Sequence, residues 1–145
     1  MIEQDTIRLL RECDAGVRMG VASIDDVLDY IHTDGLHTLL GNCKLAHESL
    51  GAEIATLLDS YGDTGKAPPP IAKGMSWIKS NVKMIVSSDD DATAADLMTD
   101  GCNMGVKSLS KYLNQYAAAD EASKSIAKRL IRLEADLAAD LRDYL

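Results

Sequence analysis

One stretch of this chain is written twice, and a second repeated stretch follows it in the same order. Gly16–Leu28 reads GVRMGVASIDDVL and Gly101–Leu113 reads GCNMGVKSLSKYL. Aligned without gaps, they share Gly16/Gly101, Met19/Met104, Gly20/Gly105, Val21/Val106, Ser23/Ser108 and Leu28/Leu113, with Ile24/Leu109 conservative. Further along, Ala52–Tyr61 (AEIATLLDSY) matches Ala135–Tyr144 (ADLAADLRDY) at Ala52/Ala135, Ala55/Ala138, Leu58/Leu141 and Tyr61/Tyr144. A two-element unit used twice is the simplest organisation that gives two matches in order at nearly one offset.

Composition says what the two elements are. The chain has 145 residues, 46% of them hydrophobic and 26% charged, and it has no Phe. Leu, Ile, Val, Ala and Met must therefore fill the core, which favours packed helices over strands rich in aromatic and β-branched residues. The length fits a single domain, residues 1–145, long enough to bury a core. A net charge of −8 argues against nucleic acid, whose phosphates call for a Lys/Arg surplus, and against a polybasic membrane-surface role. No apolar run reaches membrane-span length, and no signal peptide precedes the first polar helix. Three cysteines, an odd number, suit a reducing compartment. The expectation is a cytoplasmic protein.

The apolar spacing lays out the helices. Over Asp5–His32 it runs through Ile7, Leu10, Cys13 or Asp14, Val17, Val21, Ile24, Leu28 and Ile31, a three–four alternation. Asp5 is the expected N-cap, and Thr33-Asp34-Gly35 the stop, with Gly35 at the C-cap and Asp34 free to cap the next helix. Leu36–Tyr61 follows with Leu36, Leu40, Cys43, His47, Leu50, Ile54, Leu57 or Leu58, and Tyr61. So short a connection makes these two helices antiparallel neighbours. Gly62–Gly65 ends the second, and Lys66–Pro70 is a stiff bridge. Ile71–Val86 is a shorter amphipathic helix, and Ser87–Asp91 breaks it and caps the next. Ala92–Tyr116 and Glu121–Leu145 complete the set, the latter capped by Asp120 and striped by Ile126, Leu130, Leu133, Leu137, Leu141 and Leu145. The acidic run at Asp89–Asp91 is a solvated turn, because the alternating ligands and glycine of a calcium loop are missing.

The fold class expected is all-α: a four-helix bundle of two antiparallel hairpins, joined by a crossover that carries the short extra helix. Across its architecture and repeat the chain resembles the ferritin-like superfamily, in particular small bacterial ferritin-like proteins with a short crossover helix. The resemblance implies a di-iron or di-manganese centre mid-bundle, held by one Glu on each of two helices and a Glu-x-x-His on each of the others. Carried over residue by residue, that ligand set is not found. Glu48 meets Gly51 three positions on, Glu53 meets Thr56 and Glu134 meets Leu137; the first helix offers only Glu12, toward its start, and Ala92–Tyr116 has no Glu. No di-iron centre is expected.

Some polar groups still fall at mid-bundle. Residue sums across each hairpin turn set His47 opposite Val21 and Glu134 opposite Asn103, which brings His47, Glu48, Cys102, Asn103 and Glu134 to one level. On one reading His47 is a hydrogen-bonded histidine at the core edge, Cys102 a small hydrophobe, and Glu48 and Glu134 are exposed. On the other, Cys43 and His47, spaced i,i+4, hold a single metal such as zinc with Glu48 or Glu134. The repeated glycines also have two readings, since each costs about 1 kcal/mol of helix propensity relative to Ala. They permit close helix approach, or they line a small cavity formed by Met19, Gly20, Met104 and Gly105. His32 and His37 have no role beyond capping and solvation.

Three functions follow. The first is a non-catalytic binding or structural module, not an enzyme. The second is a metalloprotein with an altered site, for metal handling or oxidative stress; the third is a binder of a small ligand at the Gly/Met region. Trp77 beside Met75 and Ile78 on the crossover helix suggests a homodimer.

Overall fold

The computed structural model describes residues 2–63 and 91–145. Four long helices, α1 (Ile2–Leu28), α2 (Asp34–Ser60), α3 (Asp91–Gln115) and α4 (Glu121–Leu141), are followed by a 3-10 turn, η1 (Arg142–Tyr144). α1 packs along α2 and α3 along α4, as two antiparallel hairpins. The hairpins meet through α1 against α3 and α2 against α4, and α1 also touches α4 across the centre of the bundle. The expected helix Ile71–Val86, with Trp77, lies outside the described residues.

The hydrogen bonds at the two ends fix the direction of every helix. At one end, Asp5 of α1 accepts from the backbone N–H of Ala118 (3.1 Å), Thr6 accepts from Asp120 N–H (2.8 Å), and Tyr61 donates to Asp120 (3.3 Å). At the other, Asp91 of α3 accepts from the N–H groups of His32 (2.9 Å) and Thr33 (2.7 Å). There too the Tyr144 hydroxyl lies over Gly35, where an added Cβ would stand 2.6 Å from it. α1 and α4 therefore run one way, and α2 and α3 the other. The chain leaves α2 at the first end and enters α3 at the second, so the connection crosses the length of a helix, about 40 Å for 27 residues at 1.5 Å each. Two hairpins joined by a crossover is the expected architecture.

These end contacts are related in pairs. Asp5 and Asp91 each start a hairpin and each hold the turn of the other hairpin. Tyr61 and Tyr144, identical in the repeat, each end a hairpin and each reach that same turn. The two hairpins thus clasp each other reciprocally, although the Gly16/Gly101 register sets Asp91 opposite Thr6 and not opposite Asp5.

Several local expectations are corrected. α1 begins at Ile2, so Asp5 is not its cap; a full turn into the helix, its carboxylate is free to serve the opposite turn. α1 ends at Leu28, earlier than His32, with Tyr30 and Ile31 N–H groups bonding back to Val27 and Leu28. Gly35 is no C-cap: it lies inside the first turn of α2, and its missing side chain admits Tyr144. Thr33, not Asp34, precedes α2, without a side-chain cap. Gly62, at φ +71°, does end α2 in the left-handed region, with Gly62 and Asp63 N–H groups bonded to Asp59 and Leu58 carbonyls. Asp120 caps α4 through Ser123 N–H at 2.8 Å.

The core forms two apolar layers. One, toward the Asp91 end, gathers Ile24, Val27, Leu36, Leu40, Met98 and Leu141. The other, toward the Asp5 end, gathers Leu9, Leu10, Ile54, Leu58, Leu109 and Leu130. Each fully buried Leu or Ile contributes roughly 1.5–3 kcal/mol by leaving water. Between the layers sits a polar one.

Candidate functional site

That middle layer draws on all four helices. His47 of α2 is 1% exposed and Glu134 of α4 is 9% exposed. The imidazole Nε2 and the Glu134 carboxylate Oε1 are 2.8 Å apart, while Nδ1 lies 2.8 Å from the Cys43 carbonyl oxygen and 3.5 Å from the Cys43 thiol. A carbonyl can only accept, so Nδ1 carries a proton. Burial alone would strip the charge from the ring, but the hydrogen bonds to Cys43 and Glu134 and the Glu134 charge outweigh it together, raising the His47 pKa to about 10. At neutral pH both ring nitrogens therefore donate, and the pair is an imidazolium bound to a carboxylate.

The glycines of the repeat make room for it. A Cβ on Gly20 of α1 would stand 2.7 Å from both Cδ2 and Nε2 of His47, and 3.5 Å from Glu134 Oε1. A Cβ on Gly105 of α3 would lie 3.7 Å from the Glu134 carboxyl carbon. The Cys102 thiol of α3 completes the layer: burial first, then the charge and hydrogen bond of Glu134, push its pKa up and hold it protonated.

Of the residues singled out by sequence, Cys43, His47, Cys102 and Glu134 come together, with Gly20 and Gly105 against them. Glu48 and Asn103, though at the same height, point to solvent. Met104 is 57% exposed and Met19 half-buried. Each sits one residue before its glycine, and one residue is a 100° rotation on a helix. The space over the glycines is filled by the pair itself. Glu134 is also buried, not exposed, and its neighbour Leu133, expected on the apolar stripe of α4, is only half-buried.

The donor set does not fit the di-metal centre that the resemblance implies. Two bridged metals need several converging carboxylates, and α1 and α3 present glycine and a protonated thiol at this level. Among the described residues no group of three or more His, Cys, Asp or Glu is arranged to hold a metal ion. None of the described helices is long and apolar enough to cross a membrane.

No family model, no curated protein and no solved structure matches the chain. What is defined is a class: an all-α four-helix bundle of two hairpins and a crossover, with a buried ion pair at its waist.

Proposed function

We propose that this is a ferritin-like bundle in which an internal ion pair occupies the place of a metal centre, acting as a non-catalytic binding or structural module. The His47–Glu134 pair carries the reading. Both imidazole nitrogens are spent on protein acceptors, and the carboxylate nearest the ring is spent on the ring. The module works as a cytoplasmic homodimer in a bacterial cell. Three free, buried thiols support the reducing compartment, and Leu45 and Met104, both largely exposed at mid-height on α2 and α3, support self-association.

Elemental analysis of protein purified without an affinity tag tests the central claim. No stoichiometric iron, manganese or zinc is the expected result. Two irons per chain, lost on Glu134→Ala, would overturn it. Light scattering at high micromolar concentration tests the dimer, and a monomer there removes that part.

A second reading, a single-metal site for metal handling or oxidative stress, draws on the convergence of Cys43, His47, Cys102 and Glu134. It requires His47 to release an acceptor and a thiol to lose a proton that burial holds in place. Zinc titration of the purified protein separates the two: binding with release of protons favours the second.

A further inference from the structure

The outer side of α2 carries an uncharged ridge. Thr38, Asn42, Leu45, Ser49, Ala52 and Thr56 recur every three or four residues, so they stand above one another along the helix, away from the core. All six are exposed and none is charged, in a chain whose net charge is −8, and Leu45 at the middle is 65% exposed.

The same face continues onto α4. Arg129 binds Glu53 through both terminal guanidinium nitrogens, at 3.0 and 2.7 Å, and this exposed pair marks the sides on which α2 and α4 adjoin. Beside Arg129 on the outside of α4 stand Arg132, Asp136 and Asp140, all exposed. Among the described residues, none of these three is in an ion pair within the chain. The α4 part of the face thus has a basic half, Arg129 and Arg132, and an acidic half, Asp136 and Asp140.

His47 and Glu134, 2.8 Å apart, fix the level at which the two halves meet. Leu45 and Ser49 stand two residues either side of His47, and Arg132 and Asp136 two residues either side of Glu134. A second copy turned end over end about that level sets Leu45 against the partner's Ser49. On α4 it sets Arg132 against the partner's Asp136, and Arg129 beside the partner's Asp140. Each contact is made twice, as a two-fold requires. The face is about 40 Å long and, for two helices side by side, about 20 Å across. That is about 800 Å², the share each partner gives to a stable interface of standard size.

We propose that the α2/α4 face is the surface on which the chain pairs with a second copy of itself, antiparallel, with Leu45 as its apolar centre. The proposal rests on the reading of the chain as a self-associating module, and names the face used. The basic and acidic halves of α4 set the register, since charge complementarity supplies specificity more than affinity. Met104 lies outside this face, on α3, diagonally across the bundle from α2.

Sedimentation equilibrium of the full chain at high micromolar concentration tests it. Wild type is expected as a dimer, Leu45→Lys as a monomer of unchanged helix content, and Met104→Lys as a dimer. Arg132→Asp and Asp136→Arg, each alone, place like charges opposite one another and are expected to weaken the dimer about tenfold or more. Mixed, the two variants bring unlike charges together at both contacts, and a heterodimer of wild-type affinity is expected. Only groups that meet across the interface give that rescue. A wild-type monomer would overturn the reading of self-association and the proposal with it. A wild-type dimer that survives Leu45→Lys, or charge variants that fail to recover on mixing, would overturn the proposal alone. So would loss of folding on Leu45→Lys while the charge variants stay dimeric, because the chain itself would then cover the face.

Discussion

Gly20 stands against the imidazole of His47 with no room for a single further carbon: a Cβ there would lie 2.7 Å from two ring atoms. The ring cannot yield easily, since both its nitrogens are held by hydrogen bonds. Gly20→Ala is therefore expected to destabilise the protein by about 1–3 kcal/mol, the usual cost of overpacking. Gly41→Ala is the contrasting case, because a Cβ at Gly41 meets nothing within 4 Å. There the helix propensity gain of up to about 1 kcal/mol should appear. Chemical denaturation of the two variants checks both signs.

Removing one member of the buried pair should cost more than any surface change. His47→Leu leaves Glu134 with no cation, and a loss of about 3–5 kcal/mol is expected for breaking a buried pair from one side. Glu134→Leu should cost a similar amount. Denaturant midpoints with unchanged slope would establish it, and a loss within surface-mutation range would contradict the burial.

The pair also makes stability depend on pH in a defined direction. The pKa of His47 stands at about 10 in the folded chain against 6.5 ordinarily. A folded-state pKa above the unfolded one means that the stabilisation is fully present below the unfolded value and fades as pH climbs through the folded value. The stability difference between wild type and His47→Gln should accordingly shrink between pH 6.5 and about 10. A difference that is flat over this window would mean that His47 is neutral in the fold.

The three thiols should be silent in the native state. Cys13, Cys43 and Cys102 are all buried. Burial, then the Glu12 and Asp14 charges, push the Cys13 thiol up to about 12. Only the thiolate reacts at a useful rate. Alkylation at pH 8 is expected to label none of them in native protein and all of them in denaturant.

Much of this fold is legible in the sequence because it is carried by periodicity and repetition. Leu36, Leu40, Cys43, Leu50, Ile54 and Leu58 fall on one helical face and are buried on it. The Gly16 and Gly101 stretches announce two equivalent hairpins before any contact is known. What periodicity cannot announce is a polar residue inside an apolar stripe. Glu134 lies four residues after Leu130 and three before Leu137, so its position already pointed inward, but a carboxylate there is unfavourable until its partner is known. That partner is on another hairpin, 87 positions away. The clasps are hidden for the same reason: Asp5 is a good cap by type, and only the far turn explains why it is not used as one.

The clasps at the two ends have a kinetic consequence. Contacts inside a hairpin join close neighbours in sequence around a short turn, whereas Asp5 reaches Ala118 across 113 positions and Asp91 reaches His32 across 59. Contacts of long separation are the slow ones to close, so the clasps are expected to form after each hairpin exists. Contacts missing from the folding transition state, when weakened, leave the refolding rate alone and hasten unfolding. Asp5→Ala and Asp91→Ala should then raise the unfolding arm of a chevron plot with the refolding arm unmoved. The lifetime of the native bundle is then set at its two ends, far from the buried pair at its middle.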